Sequence, residues 1–219
     1  KVVVYPSESF INKPLEINLS TTGIRRNFQI RYTLDGSDPA HDSKLYQNSL
    51  QIDETATLRA AIFHNDIQVG QTLIHDFFLN TSHELPVVSI VTDPENLWDP
   101  EIGIYVEGNH ENYAQRGKEW QRPATMVYYE PDSNKASYRK EIGIRIHGGG
   151  SRELPQKTLR LYADPNNTGE RFNYPFFENY HTTVFDTLIL RNSGNDWGGA
   201  FIRDMLAAKV AARNSFLDY

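Results

Sequence analysis

Short apolar runs recur about every ten residues along the first eighty residues of the chain. Residues 30–34 show the period well, because apolar side chains at every second position alternate with Arg31 and Thr33, as in a strand with one buried face. All the runs are rich in branched and aromatic residues and are bounded by turn-forming residues. They cover residues 2–4, 15–19, 28–34, 50–52, 57–63 and 72–79. This spacing predicts an immunoglobulin-like antiparallel β-sandwich.

After residues 81–86 the pattern becomes mixed. Alternating or branched runs predict strands at residues 123–130, 138–147 and 157–162. A helix is predicted near the end of the chain, where apolar residues follow the i, i+3, i+4, i+8 pattern at Ile202, Met205, Leu206 and Val210. The sequence therefore predicts a mainly β fold in two domains, residues 1–83 and 84–219, the second of α+β type.

A run of three glycines, Gly148, Gly149 and Gly150, separates two of these strands. Because glycine has no Cβ, each residue can take a positive φ and turn its N–H group into one concavity that binds an anion. Lys157 falls on the same predicted face as Leu159 and Leu161. Two simpler interpretations stay open: the glycines form an ordinary hairpin loop, and the Lys157 ammonium reaches water while its stem packs.

The stretch HGGGSRELPQKTLRLYA resembles the "G-SSR--PKKS-R" signature of the spore coat protein H (CotH) kinase family, an atypical branch of the protein-kinase-like fold. Two further segments resemble the same family: LPVVSIVTDPENLWDPEIGIYV, as its first strand, loop and GIY strand, and LILRNSGNDWGGAFIRD, as its strand, LRN turn and RD helix. The resemblance covers roughly residues 84–219. Gln156 and Thr158 depart from the signature, which has lysine and serine there.

The resemblance implies an ATP site in the small lobe of a kinase. Lys157 corresponds to the lysine that binds the nucleotide phosphates, and Gly148, Gly149 and Gly150, with Ser151 and Arg152, would lie over them. By order along the chain, Asp204 is the candidate for the acid that orients this lysine, ahead of Glu178 and Asp196.

The resemblance also implies magnesium as a cofactor and a protein serine or threonine as the phosphate acceptor. The family's magnesium carboxylates and catalytic base come from a helical lobe further along, so no catalytic residue is assigned here, and the fragment is expected to be inactive by itself. The HGGG sequence around His147 also fits an esterase oxyanion loop, but the G-x-S-x-G nucleophile motif is missing.

The first domain resembles the β-sandwich named after the C-terminal domain of chitobiase and β-hexosaminidase, through YTLDGSDP, LYQNSLQI, TLRAAIF and HDFFLN within residues 9–80. That family accompanies secreted carbohydrate-active and surface proteins, which implies export and makes a glycan a second candidate partner. A non-catalytic surface module that binds glycan is therefore the alternative function. Asp35 and Asp38 could be calcium ligands, but a tight turn is the favoured interpretation because further acids are missing.

Composition limits the classes of function. The net charge of −6 argues against nucleic acid as the main partner, and no segment approaches the roughly 20 apolar residues of a membrane span. With no cysteine, the chain has no disulfides, thiolate zinc sites or cysteine nucleophiles. The seven histidines are scattered without metal-ligand spacing, so no metal site is predicted.

Overall fold

The computed structural model describes residues 1–23, 27–177, 181–196 and 198–214. Its contacts divide the chain into two compact units, the first Lys1–Pro94 with Thr125–Arg139 and the second Glu95–Ala124 with Lys140–Tyr219. The predicted family boundary at residue 84 stays a prediction, because compactness and family membership are different properties.

The first unit contains two sheets built from the predicted short strands. One sheet has the order β1-β3-β6 and is antiparallel; the other has the order β2-β8-β7-β4-β5, in which only β2 and β8 run parallel. The strands are β1 (Val2–Tyr5), β2 (Phe10–Ile11), β3 (Leu15–Thr21), β4 (Gln29–Thr33), β5 (Lys44–Leu45), β6 (Leu50–Ile52), β7 (Ala56–His64) and β8 (Ile67–Leu79).

Apolar side chains from both sheets meet in one core. It contains Val2, Ile11, Ile17, Leu19, Ile52, Leu58, Ala60 and Phe77, all buried. Because alternate residues of a strand point to opposite faces, two sheets that share a core form a sandwich. The predicted β-sandwich is thus confirmed. The same unit also contains β9 (Val87–Val91), which pairs antiparallel with β10 (Arg122–Tyr129).

The predicted turn at Asp35 is confirmed. Gly36 takes a φ of +83°, and the Ser37 backbone N–H donates to Asp35 Oδ1 at 3.0 Å. The hydrogen bonds from Ser37 lower the pKa of Asp35 below its ordinary value. This carboxylate therefore stabilises its own turn, in the manner of Asx turns.

The second unit is built around three antiparallel strands, β11 (Tyr138–His147), β12 (Thr158–Tyr162) and β15 (Thr187–Leu190), with β12 between the other two. A short pair, β13 (Phe172–Asn173) and β14 (Val184–Phe185), lies between β12 and β15 in sequence. The helices are α1 (Glu95–Trp98) and the predicted final helix, α2 (Arg203–Asn214). The chain crosses between the units within β10 and β11.

The predicted GIY strand is wrong. Residues 102–106 form turns, because their N–H groups bond back to the region of α1 instead of to a neighbouring strand: Gly103 N–H donates to Asp99 O at 2.8 Å, and Tyr105 N–H donates to Leu97 O at 3.0 Å. This arrangement still fixes Tyr105, whose hydroxyl is used in the candidate site.

Candidate functional site

The glycine turn follows directly after β11. Gly148 takes a φ of +119°, but Gly149 has a φ of −103°, and Gly150 opens a 3₁₀ turn over Gly150–Glu153. The prediction that all three glycines supply positive φ is therefore wrong for Gly149 and Gly150. The chain turns at Gly148, where a Cβ would lie 2.5 Å from Ser151 Oγ, and then winds helically.

Arg152 fixes the shape of this turn. Its side chain is 7% exposed; Nε donates to Gly148 O at 2.7 Å, and Nη1 donates to Tyr113 O and Gln115 O, both at 2.9 Å. Three backbone carbonyls thus occupy the guanidinium. Arg152 joins the glycine turn to residues 113–115, which is a different role from the predicted position over a ligand.

Lys157, the first residue of the predicted strand, lies directly before the observed strand β12 and is 9% exposed. Its Nζ donates to Arg152 O at 2.6 Å and to Leu154 O at 2.9 Å. The ammonium therefore lies against the turn that follows the glycines, and the predicted phosphate site requires the two to be close together. Two of its three N–H groups are used by backbone carbonyls, which leaves one.

Two tyrosines surround the same ammonium. Lys157 Nζ lies 4.6 Å from the ring centroid of Tyr113 and 5.5 Å from that of Tyr105, within range of a cation–π interaction. The Lys157 backbone N–H also donates to Tyr105 Oη at 2.8 Å. Burial lowers the pKa of Lys157, and the charge of Glu153 partly opposes this. Desolvation therefore outweighs the nearby acid.

Glu153 is the acid whose charge acts on the pKa of Lys157, and the sequence analysis did not consider it. The side chain of Asp204 and the whole of Glu178 lie outside the described residues, so the structure does not test them. Asp196 caps α2, because its Oδ2 accepts from Ile202 N at 3.1 Å and its Oδ1 pairs with Arg203 at 3.2 Å. The only signal for Glu153 was its position four residues before Lys157, inside the motif.

The two departures from the motif differ in effect. The Thr158 hydroxyl donates to Asn192 Oδ1 at 2.8 Å and accepts from Asn192 N at 3.1 Å, so threonine supplies the hydroxyl that serine supplies in the signature. Gln156 has an exposed side chain, but its carbonyl accepts from Asn192 Nδ2 at 2.6 Å. The buried Asn192, from the LRN segment, therefore fastens the loop after β15 to the start of β12.

Comparison with known families gave one match in each half of the chain. Residues 6–73 match the family described as Chitobiase/beta-hexosaminidase C-terminal domain, and residues 144–214 match the family described as CotH kinase protein. The two matches follow each other along the chain in the predicted order. The CotH match contains the glycine turn, Lys157, Asn192 and α2, which are the parts of the candidate site. Neither the curated proteins nor the solved structures gave a match.

Within the described residues, no helix is both long and apolar enough to cross a membrane.

Proposed function

We propose that the chain is part of an exported CotH-type protein kinase, which transfers phosphate from ATP to serine or threonine hydroxyls of a protein. Gly148, Gly149 and Gly150, with Ser151 and Lys157, would hold the nucleotide phosphates, and Arg152 would position the turn. The observation that carries the proposal is the hydrogen-bonded turn: the side chains of Arg152 and Lys157 donate five hydrogen bonds to backbone carbonyls in and around it. A turn shaped in advance loses little conformational entropy when a ligand binds.

Each of three side chains would have a different role in binding the phosphates. Ser151 Oγ makes no hydrogen bond within the described residues and can donate to a phosphate oxygen. Lys157 can use its one remaining N–H, while its other two keep the turn in place. Arg152 would act by positioning the backbone of Gly148.

Magnesium, which in kinases bridges and neutralises the phosphates, has no ligands assigned in this chain. The described residues contain no group of three or more His, Asp or Glu side chains that could hold a metal ion. Our proposal is that these residues bind nucleotide without transferring phosphate.

Titration calorimetry with ATP tests the proposal. We expect millimolar or tighter binding that Lys157→Met and Ser151→Ala each weaken, because each variant removes one donor to the phosphates. Lys118→Met removes an exposed ammonium of the same unit and should leave binding unchanged. Absence of ATP binding by the parent protein, at concentrations up to several millimolar, would refute the proposed function.

The alternative function, glycan binding by a surface module, has its own support in the first unit. A cavity of about 440 Å³ there is lined by aromatic and polar side chains that include Phe28, Tyr46, Gln29 and Thr21. Sugars combine apolar ring faces with hydroxyl groups, so this lining suits them. Sugar binding on a glycan array that survives Lys157→Met but is lost in Phe28→Ala would favour this alternative, and export follows from either function.

A further inference from the structure

The strand pair β11 and β12 carries two arginines on the face opposite its core. Ile144 and Leu161 are fully buried on one face, and Arg145 and Arg160 lie on the other, directly opposite each other in the strand register. His147 follows on the same face. Like charges in opposing positions destabilise a sheet unless something of opposite charge neutralises them.

Among the residues that the structure describes, Arg160 has no such neutralising partner. Its Nε atom is buried without a hydrogen bond, and within the described residues no carboxylate pairs with its guanidinium. A buried guanidinium N–H without an acceptor is costly, because it has lost its water and gained nothing in return. This atom points to an anion as the missing partner.

Arg145 is held in a fixed orientation beside it. Its Nε donates to Tyr162 Oη at 2.9 Å, and its guanidinium carbon lies 4.6 Å from the Tyr162 ring centroid. Within the described residues it also lacks a carboxylate partner. Stacking on an aromatic ring keeps the guanidinium charged while it restricts its direction.

Further cations surround this face. Arg116 is exposed, and its Nη2 lies 3.4 Å from Gly148 O, at the end of β11. The pKa of His147 is lowered by burial first and then by the charges of Arg160, Arg152, Arg191 and Arg116. Positive charges therefore dominate the surroundings of His147.

The side of the turn that holds Lys157 has a different character. The pKa of Tyr113, which lies against the Lys157 ammonium, is raised by burial and then by Glu107, Glu153 and Glu111. Acids thus lie near Tyr113, and one of them, Glu153, also acts on Lys157, whereas arginines surround His147. A doubly negative ligand would therefore be attracted more strongly on the second side than on the first.

We infer that Arg145 and Arg160 form a binding site for a phosphate group, with His147 and Arg116 at its margin. Two planar guanidinium groups can each offer parallel N–H donors to a tetrahedral dianion. The phosphate group could belong to a nucleotide or to a phosphorylated side chain of a protein. The site uses neither Lys157 nor Ser151, so it stands whether or not the nucleotide proposal holds.

Titration calorimetry on the full chain, with three probes, tests the inference. The probes are ATP, tripolyphosphate, and a short phosphoserine peptide together with its unphosphorylated form. The key variant is Arg160→Gln, because the Arg160 side chain makes no hydrogen bond within the described residues and its loss should not unfold the protein. Lys157→Met reports on the opposite side of the turn, and Lys118→Gln controls for the removal of one positive charge.

We expect at least one probe to bind the parent protein, and Arg160→Gln to weaken that binding at least tenfold, with Arg145→Gln having a similar effect. Lys118→Gln should change affinity by less than twofold. Binding of ATP and tripolyphosphate would identify a nucleotide as the source of the phosphate, and selective binding of the phosphoserine peptide would identify a protein.

Two results would overturn the inference: no binding of any probe to the parent at millimolar concentration, or equal affinities of the parent and Arg160→Gln. Loss of ATP affinity in Lys157→Met and Ser151→Ala but not in Arg160→Gln would support the nucleotide proposal and reject the arginine site.

Discussion

Replacement of Lys157 by methionine tests whether the buried ammonium holds the glycine turn. Methionine keeps the length and apolar stem of lysine but cannot donate to the carbonyls of Arg152 and Leu154. Both carbonyl oxygens would then lose their donor at a buried position, because Lys157 is only 9% exposed. Lys157→Ala removes the stem as well.

The magnitude follows from these contacts. A hydrogen bond from a charged donor contributes about 1.5–3 kcal/mol, and the contact with Tyr113 adds about 0.5–2 kcal/mol. The cost of dehydrating the ammonium, which is seen in the lowered pKa of Lys157, offsets part of this gain. We expect Lys157→Met to lower the free energy of unfolding by about 2–4 kcal/mol, and Lys157→Ala by about 2 kcal/mol more.

Tryptophan fluorescence measures this change selectively, because Trp98, Trp120 and Trp197 all fall in the sequence of the second unit. At a slope of about 2 kcal/mol per molar urea, the midpoint of the fluorescence transition should fall by roughly 1–2 M in Lys157→Met. Lys118→Met, at an exposed position, is the matched control and should stay within about 0.5 kcal/mol of the parent.

An unfolding free energy of Lys157→Met within about 0.5 kcal/mol of the parent would refute the reasoning. It would mean that the ammonium reaches water and does not fasten the turn.

Three more outcomes are expected. Gly148→Ala should lower the free energy of unfolding in urea by more than about 1 kcal/mol, because the φ of Gly148 is +119° and a Cβ would lie 2.5 Å from Ser151 Oγ. Gly149→Ala should be nearly neutral, because a Cβ there would meet open space. Equal losses in the two variants would contradict the turn geometry. Asp76→Ala should lower stability by about 2–4 kcal/mol in thermal unfolding followed by circular dichroism, since the buried carboxylate accepts from Thr57 and Tyr129; a loss below about 0.5 kcal/mol would show that this network is dispensable. The pKa of His147 is lowered in the folded protein, so His147 takes up a proton more readily when the protein is unfolded. The stability of the second unit should therefore fall as pH drops below about 6.5. In urea unfolding followed by fluorescence, His147→Gln should flatten this dependence, and an unchanged pH profile would exclude His147 as its source.

Local sequence patterns predicted the sandwich well. Its strands are short, alternate in polarity and end at turn residues such as Asp35 and Gly36, so each strand carries its own signal. The final helix was predicted on the same basis. These features depend on neighbours within a few residues, which the sequence displays directly.

The ordered motifs also predicted the two family matches, although they did not give the roles of individual side chains. Arg152 was expected over a ligand, yet its guanidinium bonds to Tyr113 and Gln115, which lie more than thirty residues earlier in the chain. Glu153 was not considered, because an exposed acid in a loop has no distinctive local pattern. Long-range contacts decided both roles.

The amino-acid order alone determined where strands, turns and the last helix form, since period and turn chemistry are local properties of the chain. Tertiary structure decided which polar groups meet. It buried the Lys157 ammonium against two carbonyls and two tyrosine rings, and it set Arg160 opposite Arg145 through strand register. Burial removes water from these groups, so their partners determine their chemistry, and partners distant in sequence meet only when the sheets assemble.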